Sequence, residues 1–206
     1  MPLQNRVDPF GDIVRTSARG SMMGNRGGRM HNEDRELIAN YKTRRWIACV
    51  LEFRGRHRVV MAPNRYTELF FLDEAVAFAA GHRPCAECRH ERFKAFQSAW
   101  QRAHRQSRPS FAHEMDRELH AARIHKRKKV TYETPAGSLP NGCFVEIEGK
   151  AYLVLDGFLL EWSWSGYRNK FRPRGDRILT VLTPEPMVRC FGEGYVPVVH
   201  ESAARL

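Results

Sequence analysis

The sequence lacks a long hydrophobic run. None of its apolar stretches approaches the roughly 18 residues that a membrane-spanning helix needs. Near the N-terminus, Asp8, Asp12 and Arg15 interrupt the apolar residues, so this segment does not have the continuous hydrophobic region of a secretory signal. These absences exclude a membrane-spanning protein and predict a soluble protein of the cytoplasm.

Cysteine is also scarce, and the number of cysteines is odd. An odd number in a cytoplasmic chain argues against a framework of structural disulfides. Two of the cysteines form a C-x-x-C motif, which in such a chain indicates metal binding or redox chemistry. The other three fit ordinary buried thiols. The five cysteines are Cys49, Cys85, Cys88, Cys143 and Cys190.

Acidic residues are few compared with basic ones. The chain has 34 Lys and Arg against 23 Asp and Glu, and the net charge of +11 favours a polyanionic partner, because neutralising phosphates releases condensed counterions. The hydrophobic share of 42% excludes a disordered chain and predicts a globular fold. Nucleic acid is therefore the expected partner, and an arginine-rich composition of genomic origin is the alternative.

Three regions differ in composition and periodicity. Residues 1–30 are rich in glycine and arginine, show neither helix nor strand periodicity, and are predicted to be a flexible loop segment. Residues 31–125 combine strand and helix patterns, whereas residues 126–206 show short strands separated by turn residues. The sequence therefore predicts an α+β fold with an α+β module followed by a module rich in β-meander.

The elements of the two modules follow from their hydrophobic patterns. In the front module we predict a polar helix over residues 31–41, strands over 45–53, 58–61 and 66–72, and helices over 74–80, 85–104 and 112–125. Asp73 is the expected N-cap of the alanine-rich helix, and Gly81 is expected to end it. In the back module we predict strands over residues 130–132, 143–148, 151–155, 158–164 and 178–182, and a helix over 184–191.

The segment GHRPCAECR, residues 81–89, carries the most informative motif. Cys85 and Cys88 stand three residues apart where a helix is predicted to begin, so both thiols face one ion, and the helix dipole lowers thiol pKa values there. Thiolate ligands favour zinc in this setting. A redox C-x-x-C is the alternative, but it would follow a thioredoxin-like β-α-β unit, whereas an alanine-rich helix precedes this motif.

The stretch FFLDEAVAFAAGHRPCAEC, residues 70–88, resembles the second half of the Ada-type metal-binding domain of methylphosphotriester DNA-repair proteins. Within residues 66–90 the resemblance joins an aromatic strand, an Ala/Glu-rich helix and the pattern A-A-G-x-R-P-C-x-x-C in the same order. It implies that the front half is a small Ada-like zinc-binding module and that the protein acts in DNA repair or processing.

The resemblance also implies a set of metal ligands. In the family, four cysteines hold zinc and one of them accepts a methyl group from a DNA phosphotriester. Cys85 and Cys88 match the second pair of that set, whereas the first pair, a C-x-x-x-C after a strand, has no counterpart here. Cys49 lies in the expected strand and is the preferred third ligand or acceptor thiolate. His31 and His57 compete for the fourth position, and His31 completes the predicted set.

Zinc-dependent nucleobase deaminases provide an alternative interpretation. They carry H-x-E upstream of P-C-x-x-C, and the glutamate is a proton shuttle rather than a ligand. Here HNE at residues 31–33 precedes PCAEC at residues 84–88, so one histidine and two cysteines would leave a position open for hydroxide. The long gap between the motifs, and the helix before the second motif, argue against a deaminase. A structural zinc module without catalytic function is a further alternative.

A second cluster of polar residues lies on the third predicted helix of the front module. His113, Asp116 and His120 fall on one helix face, because they are spaced at i, i+3 and i+7. A carboxylate that orients an imidazole suits general-base catalysis, which makes Asp116 and His120 the candidate catalytic residues besides Cys49. A solvated helix face is the alternative.

Cationic and aromatic residues mark a candidate nucleic-acid face. Cations suit phosphates, and aromatic rings beside guanidinium groups suit unpaired bases. We therefore expect DNA as the partner, single-stranded or damaged DNA in particular, with tryptophans that belong to the core as the alternative. The candidate residues are Lys126, Arg127, Lys128, Lys129, Trp162, Trp164, Arg168, Lys170, Arg172 and Arg174.

Overall fold

The computed structural model describes residues 1–55 and 59–206. These residues form helices and several sheets, so the predicted α+β class is confirmed. Among the described residues, no helix has both the length and the apolar character needed to cross a membrane. The helices are α1 (Glu74–Ala79), α2 (His90–Ala103), α3 (Ala112–Arg123) and α4 (Glu185–Gly192), with short 3₁₀ helices at Ala136–Ser138 and Glu201–Arg205.

The first sheet is built by the front half of the chain. Its strands are β1 (Gln4–Val7), β2 (Ile13–Arg15), β3 (Met22–Asn25), β4 (Ile47–Cys49), β5 (Leu69–Phe71) and β6 (Arg83–Pro84), in the order β2-β1-β5-β3-β4-β6. The pairs β1–β5 and β4–β6 are parallel, and the other neighbours are antiparallel. The sheet thus combines strands from distant parts of the chain.

The second sheet is an antiparallel sheet of the back half, preceded by a short hairpin. The hairpin strands are β7 (Ile124–His125) and β8 (Lys128–Lys129). The sheet strands are β9 (Tyr132–Pro135), β10 (Phe144–Ile147), β11 (Lys150–Leu155), β12 (Phe158–Ser163), β13 (Gly166–Phe171) and β14 (Ile178–Val181), in the order β13-β12-β11-β10-β14-β9. Strands β10 to β12 pair consecutively, as predicted for a β-meander, and β13, which the sequence did not predict, continues it.

The prediction of loop for residues 1–30 is wrong, because three strands of the first sheet lie there. The glycines of this segment are predicted to form turns, but Gly20 and Gly24 instead allow other backbone segments to approach them closely. A Cβ on Gly20 would collide with the Phe71 carbonyl group, and a Cβ on Gly24 would collide with the Ile47 carbonyl oxygen. Gly24 therefore lies within a strand that is pressed against its neighbours.

The predicted helix over residues 31–41 is also absent from the structure, where a tight turn joins His31 and Leu37 in a β-bridge. The Asn32 side chain accepts a hydrogen bond from the Glu36 N–H at 2.8 Å, which competes with helical bonding. Of the predicted strand over residues 58–61, position 58 lies outside the described residues, and residues 59–61 are not a strand.

Helix α1 begins where predicted and ends at Ala79, one residue before the predicted end. The Asp73 carboxylate accepts a hydrogen bond from the Val76 N–H at 2.9 Å and so caps the helix. Gly81, with a φ of +86°, lies in the left-handed region just beyond its end. The same carboxylate accepts hydrogen bonds from Tyr167 Oη at 2.7 Å and from the His200 N–H at 2.9 Å. The cap therefore also joins α1 to the second sheet and the C-terminal segment.

Helix α2 starts later than predicted. The sequence suggests a helix from residue 85, but α2 begins at His90, and residues 86–89 form a turn. Pro84 belongs to strand β6 rather than to the first turn of the helix. Because residues 83 and 84 are extended and paired with β4, the chain needs a turn before it can become helical. Both cysteines of the motif consequently lie between a strand and a helix.

Among the described residues, the two larger hydrophobic clusters each combine residues from both sides of the predicted boundary at residue 126. The first includes Val7, Phe71, Phe144, Leu153 and Leu160. The second includes Phe96, Trp100, Met115, Val145 and Leu179. Side chains of the front and back halves therefore pack against each other in both clusters.

We predict that Gly24→Ala destabilises the fold, because the new methyl group must displace backbone atoms of a neighbouring strand. Overpacking of this kind costs about 1–3 kcal/mol. Gly175→Ala is the matched control, since a Cβ there meets no atom within 4 Å. Urea unfolding at one pH gives both free energies of unfolding. Equal effects of the two substitutions would contradict the close packing at Gly24.

Candidate metal centre

Three cysteines from two segments meet at one edge of the first sheet. Cys49 ends β4, Cys85 follows β6, and Cys88 lies in the turn that leads into α2. The parallel pairing of β4 and β6 brings the segments together, and the Cys85 N–H donates to the Ala48 carbonyl oxygen at 2.9 Å. The three sulfur atoms lie within 4.8 Å of one another.

This grouping could hold a metal ion. A tetrahedral ion with metal–sulfur bonds of about 2.3 Å separates its sulfur ligands by roughly 3.8 Å. The observed limit of 4.8 Å between the three sulfurs is compatible with that spacing. Cys49 and Cys85 are buried and Cys88 is half-buried, so one side of the group faces the exterior. The prediction that Cys49 joins Cys85 and Cys88 is thus consistent with the observed geometry.

Backbone N–H groups and neighbouring thiols surround the sulfur of Cys85. The Glu87 N–H approaches this sulfur at 3.4 Å. The pKa of Cys85 is lowered, mainly because the thiols of Cys49 and Cys88 donate hydrogen bonds to its sulfur. The pKa of Cys49 is raised, mainly because its thiol is hydrogen-bonded to Cys85. Cys85 is therefore the first of the three to become a thiolate, the form that binds a metal.

The predicted histidine ligands do not join the three sulfurs within the described residues. His31 is buried, with Nδ1 at 2.7 Å from Thr67 Oγ1 and Nε2 at 3.2 Å from the Ala62 carbonyl oxygen. Both ring nitrogens are thus engaged elsewhere, and His31 is not part of the cluster. His57, the competing candidate, lies outside the described residues.

The second predicted cluster is arranged differently from what its helical spacing suggested. Asp116 is buried and binds Arg83 through both carboxylate oxygens, each at 2.8 Å. His120 is half-buried and lies with Nδ1 at 3.3 Å from an Arg123 nitrogen, while His113 is exposed. Asp116 therefore anchors the strand that precedes the metal-site turn and does not orient an imidazole.

The predicted basic run divides into exposed and internal residues. Lys126, Arg127 and Lys128 are exposed at the tip of the β7–β8 hairpin, which we call the basic hairpin. Lys129 Nζ instead points inward and donates to the Ala79 carbonyl oxygen at 2.6 Å. Burial, followed by repulsion from Arg26, lowers the pKa of Lys129 to about 7. Lys129 is thus not placed to contact a phosphate.

The predicted aromatic and cationic residues of the back half lie on and beside the edge strand β13. Trp162 and Trp164 are half-buried, with ring centroids 4.7 Å apart. Arg168 and Arg174 pair with Glu161 and Asp176, respectively. Within the described part of the chain, Lys170 and Arg172 have no ion-pair partner, and both lie over the Phe158 ring. We call these four exposed cations, Arg168, Lys170, Arg172 and Arg174, the basic edge.

A buried cationic cluster was missed by sequence reasoning. The Trp46 ring lies between two guanidinium groups, with Arg26 Cζ at 4.1 Å and Arg123 Cζ at 4.0 Å from its centroid. Arg26 Nε donates to His82 Nε2 at 3.3 Å. Burial, and then Arg26 and Arg123, lower the pKa of His82 well below its usual value, so this ring is neutral. No local pattern could reveal the cluster, because its members come from four separate segments.

No protein-family model matches the chain, and no match is found among curated proteins or solved structures. The resemblance to the Ada-type domain stays a prediction.

We predict that Asp116→Asn strongly destabilises the protein, because it leaves the buried Arg83 guanidinium without its counter-charge. Breaking a buried pair costs about 3–5 kcal/mol. Asp176→Asn, which breaks the exposed pair with Arg174, is expected to cost less than about 1 kcal/mol. Chemical denaturation of both variants measures the difference. A small cost for Asp116→Asn would restore this residue as a candidate for catalysis rather than structure.

Proposed function

We propose that the protein is a zinc-binding protein that interacts with DNA and acts in DNA repair or processing. The observation that carries the proposal is the meeting of three cysteine sulfurs within 4.8 Å of one another. Two of these sulfurs belong to the stretch that resembles the Ada-type domain, and the third comes from the strand in which the resemblance places a ligand.

Zinc is the metal that this donor set favours. Thiolates are soft ligands, and sets of three or four cysteines at tetrahedral spacing are typical of zinc sites. Three protein ligands leave a fourth position of a tetrahedral ion for a further ligand. Cys88 is the most exposed of the three cysteines, so an external ligand would approach from its side.

Interaction with DNA is supported by two groups of exposed cations, the basic hairpin and the basic edge. The basic hairpin and the basic edge both present cations that are free to bind phosphates, notably Arg127, Lys170 and Arg172. Such contacts give affinity by releasing counterions from the DNA. The net charge of +11 adds attraction at long range.

A non-catalytic structural zinc module is the second candidate. The burial of Cys49 and Cys85 favours it, because buried ligands suit an ion that stabilises the fold. The deaminase alternative needs His31 as a ligand, and the hydrogen bonds of His31 to Thr67 and Ala62 give it no support. DNA binding distinguishes the two remaining candidates.

We predict that Cys49→Ala, Cys85→Ala and Cys88→Ala each abolish zinc binding, because each removes one sulfur of the cluster. Metal content of the purified proteins by mass spectrometry is the measurement. Cys143→Ala is the matched control: its thiol lies in the second hydrophobic cluster, and burial raises its pKa. His31→Ala is also expected to keep the metal.

Two results would count against this zinc site. The first is wild-type protein that stays metal-free when it is folded in the presence of zinc. The second is a Cys49→Ala variant that holds as much zinc as the wild type. Either result would remove the metal centre from the proposal and leave the DNA contacts to be judged separately.

We predict that the double variant Lys170→Ala/Arg172→Ala weakens DNA binding to a similar degree for every sequence. The slope of log affinity against log salt should fall by about 2, roughly one for each phosphate that the variant no longer binds. The double variant Arg105→Ala/Arg117→Ala removes the same charge from exposed positions elsewhere and should leave the slope unchanged. Fluorescence anisotropy with labelled DNA at several salt concentrations measures the affinity, and hence the slope, for each variant. Wild-type affinity without salt dependence would contradict the phosphate contacts.

A further inference from the structure

An open cavity of about 610 Å³ lies between the N-terminal strand β1, the segment around residues 37–41 and the basic hairpin. Its volume falls in the range of about 300–1,000 Å³ that is usual for small-molecule sites. The residues that line it are Gln4, Leu37, Ile38, Ala39, Asn40, Tyr41, Ile124 and Arg127.

The lining has the composition of a site for a ring-bearing ligand. Most of its side chains are aliphatic or aromatic, and only three are polar. The Gln4 amide donates to the Ile13 carbonyl oxygen at 3.0 Å, which leaves its own carbonyl oxygen as an acceptor. A cavity that combines apolar side chains with polar groups can bind a flat, polar-edged ring, because the apolar side chains cover its faces and the polar groups fix its orientation.

Tyr41 is held in place by the rings behind it. Its centroid lies 5.3 Å from that of His120 in an edge-on arrangement and 5.7 Å from that of Trp46. Burial, followed by repulsion from Arg123, lowers the pKa of His120, so the ring behind Tyr41 is neutral. A fixed aromatic side chain is a suitable stacking surface for a nucleobase.

Cationic side chains lie behind the same cavity and at its rim. Behind it, Arg26 donates to the Asn40 carbonyl oxygen at 3.4 Å, and Arg123 precedes the lining residue Ile124. Carboxylates act on these internal cations, Asp8 on Arg26 and Asp116 on Arg123, and partly balance their charge. At the rim, Arg127 is exposed and has no ion-pair partner in the described part of the chain. Arg127 is therefore the cation that an anionic group of a ligand in the cavity would contact.

We propose that this cavity binds one nucleotide, with the base against Tyr41 and the phosphate on Arg127. The ligand class is a deoxynucleoside monophosphate, either free or as an unpaired nucleotide of a DNA strand. This inference rests on the proposed function because it makes the cavity the place where the DNA-interacting protein receives an unstacked base. The basic edge, on the second sheet, supplies separate phosphate contacts.

The test is calorimetric titration of the full-length protein with deoxynucleoside monophosphates. Tyr41→Leu should weaken binding by about fivefold or more, the effect of losing one stacked base, while Tyr41→Phe should retain it. Arg127→Ala should weaken binding by about tenfold or more because a charge-assisted hydrogen bond is removed. Arg105→Ala is the matched control: Arg105 is exposed and, like Arg127, has a positive φ, so it should bind as the wild type does.

Parallel titrations with a single-stranded oligonucleotide separate the two proposals. Oligonucleotide binding that depends on Lys170 and Arg172 but not on Tyr41, together with no binding of the monophosphates, would overturn the nucleotide pocket and leave DNA binding standing. Monophosphate binding that depends on Tyr41 and Arg127, without any oligonucleotide binding, would establish the pocket and overturn the proposed DNA function. Inorganic phosphate binding as tightly as the nucleotides would overturn the role of Tyr41.

Discussion

The cluster of three cysteines depends on one short contact, the parallel pairing of β4 with β6. Ile47 and Ala48 lie opposite Arg83 and Pro84, and this register places the end of β4 beside the start of the C-x-x-C turn. Without this strand pairing, no contact between β4 and β6 would bring Cys49 close to Cys85. The buried pair of Arg83 with Asp116 fixes β6 from its other side, so α3 also contributes to the position of the sulfurs.

Features encoded within a few residues could be predicted from the sequence. The cap of α1 at Asp73, its end before Gly81 and the meander of the second sheet depend on neighbouring residues and were all expected. Features that depend on distant segments could not be predicted in the same way. Strands β1 and β3 are short and pair with the distant strand β5. Glycine allows close approach at position 24, while it forms turns elsewhere. The partner of Asp116 likewise lies in another segment, so helical spacing pointed to His120 instead.

Net charge overstates how much positive surface this protein has. Several of its basic side chains, including Arg26, Arg83 and Arg123, are buried and hold the fold together through carbonyl oxygens, a carboxylate or an aromatic ring. Lys129 continues the basic run in sequence yet lies inside. The exposed cations lie at many places on the surface, and the basic hairpin and the basic edge are two of them, so the net charge alone does not identify where a partner binds.

The separation of Cys49 from the other two sulfurs along the chain has a consequence for the unfolded protein. Any ion held by all three sulfurs would close the intervening segment, which contains β5 and α1, into a loop. Cross-links of this kind stabilise proteins by lowering the entropy of the unfolded chain, and a longer loop gives a larger effect. The position of Cys49 in the sequence would therefore make such an ion a constraint on the unfolded chain as well as a contact in the folded one.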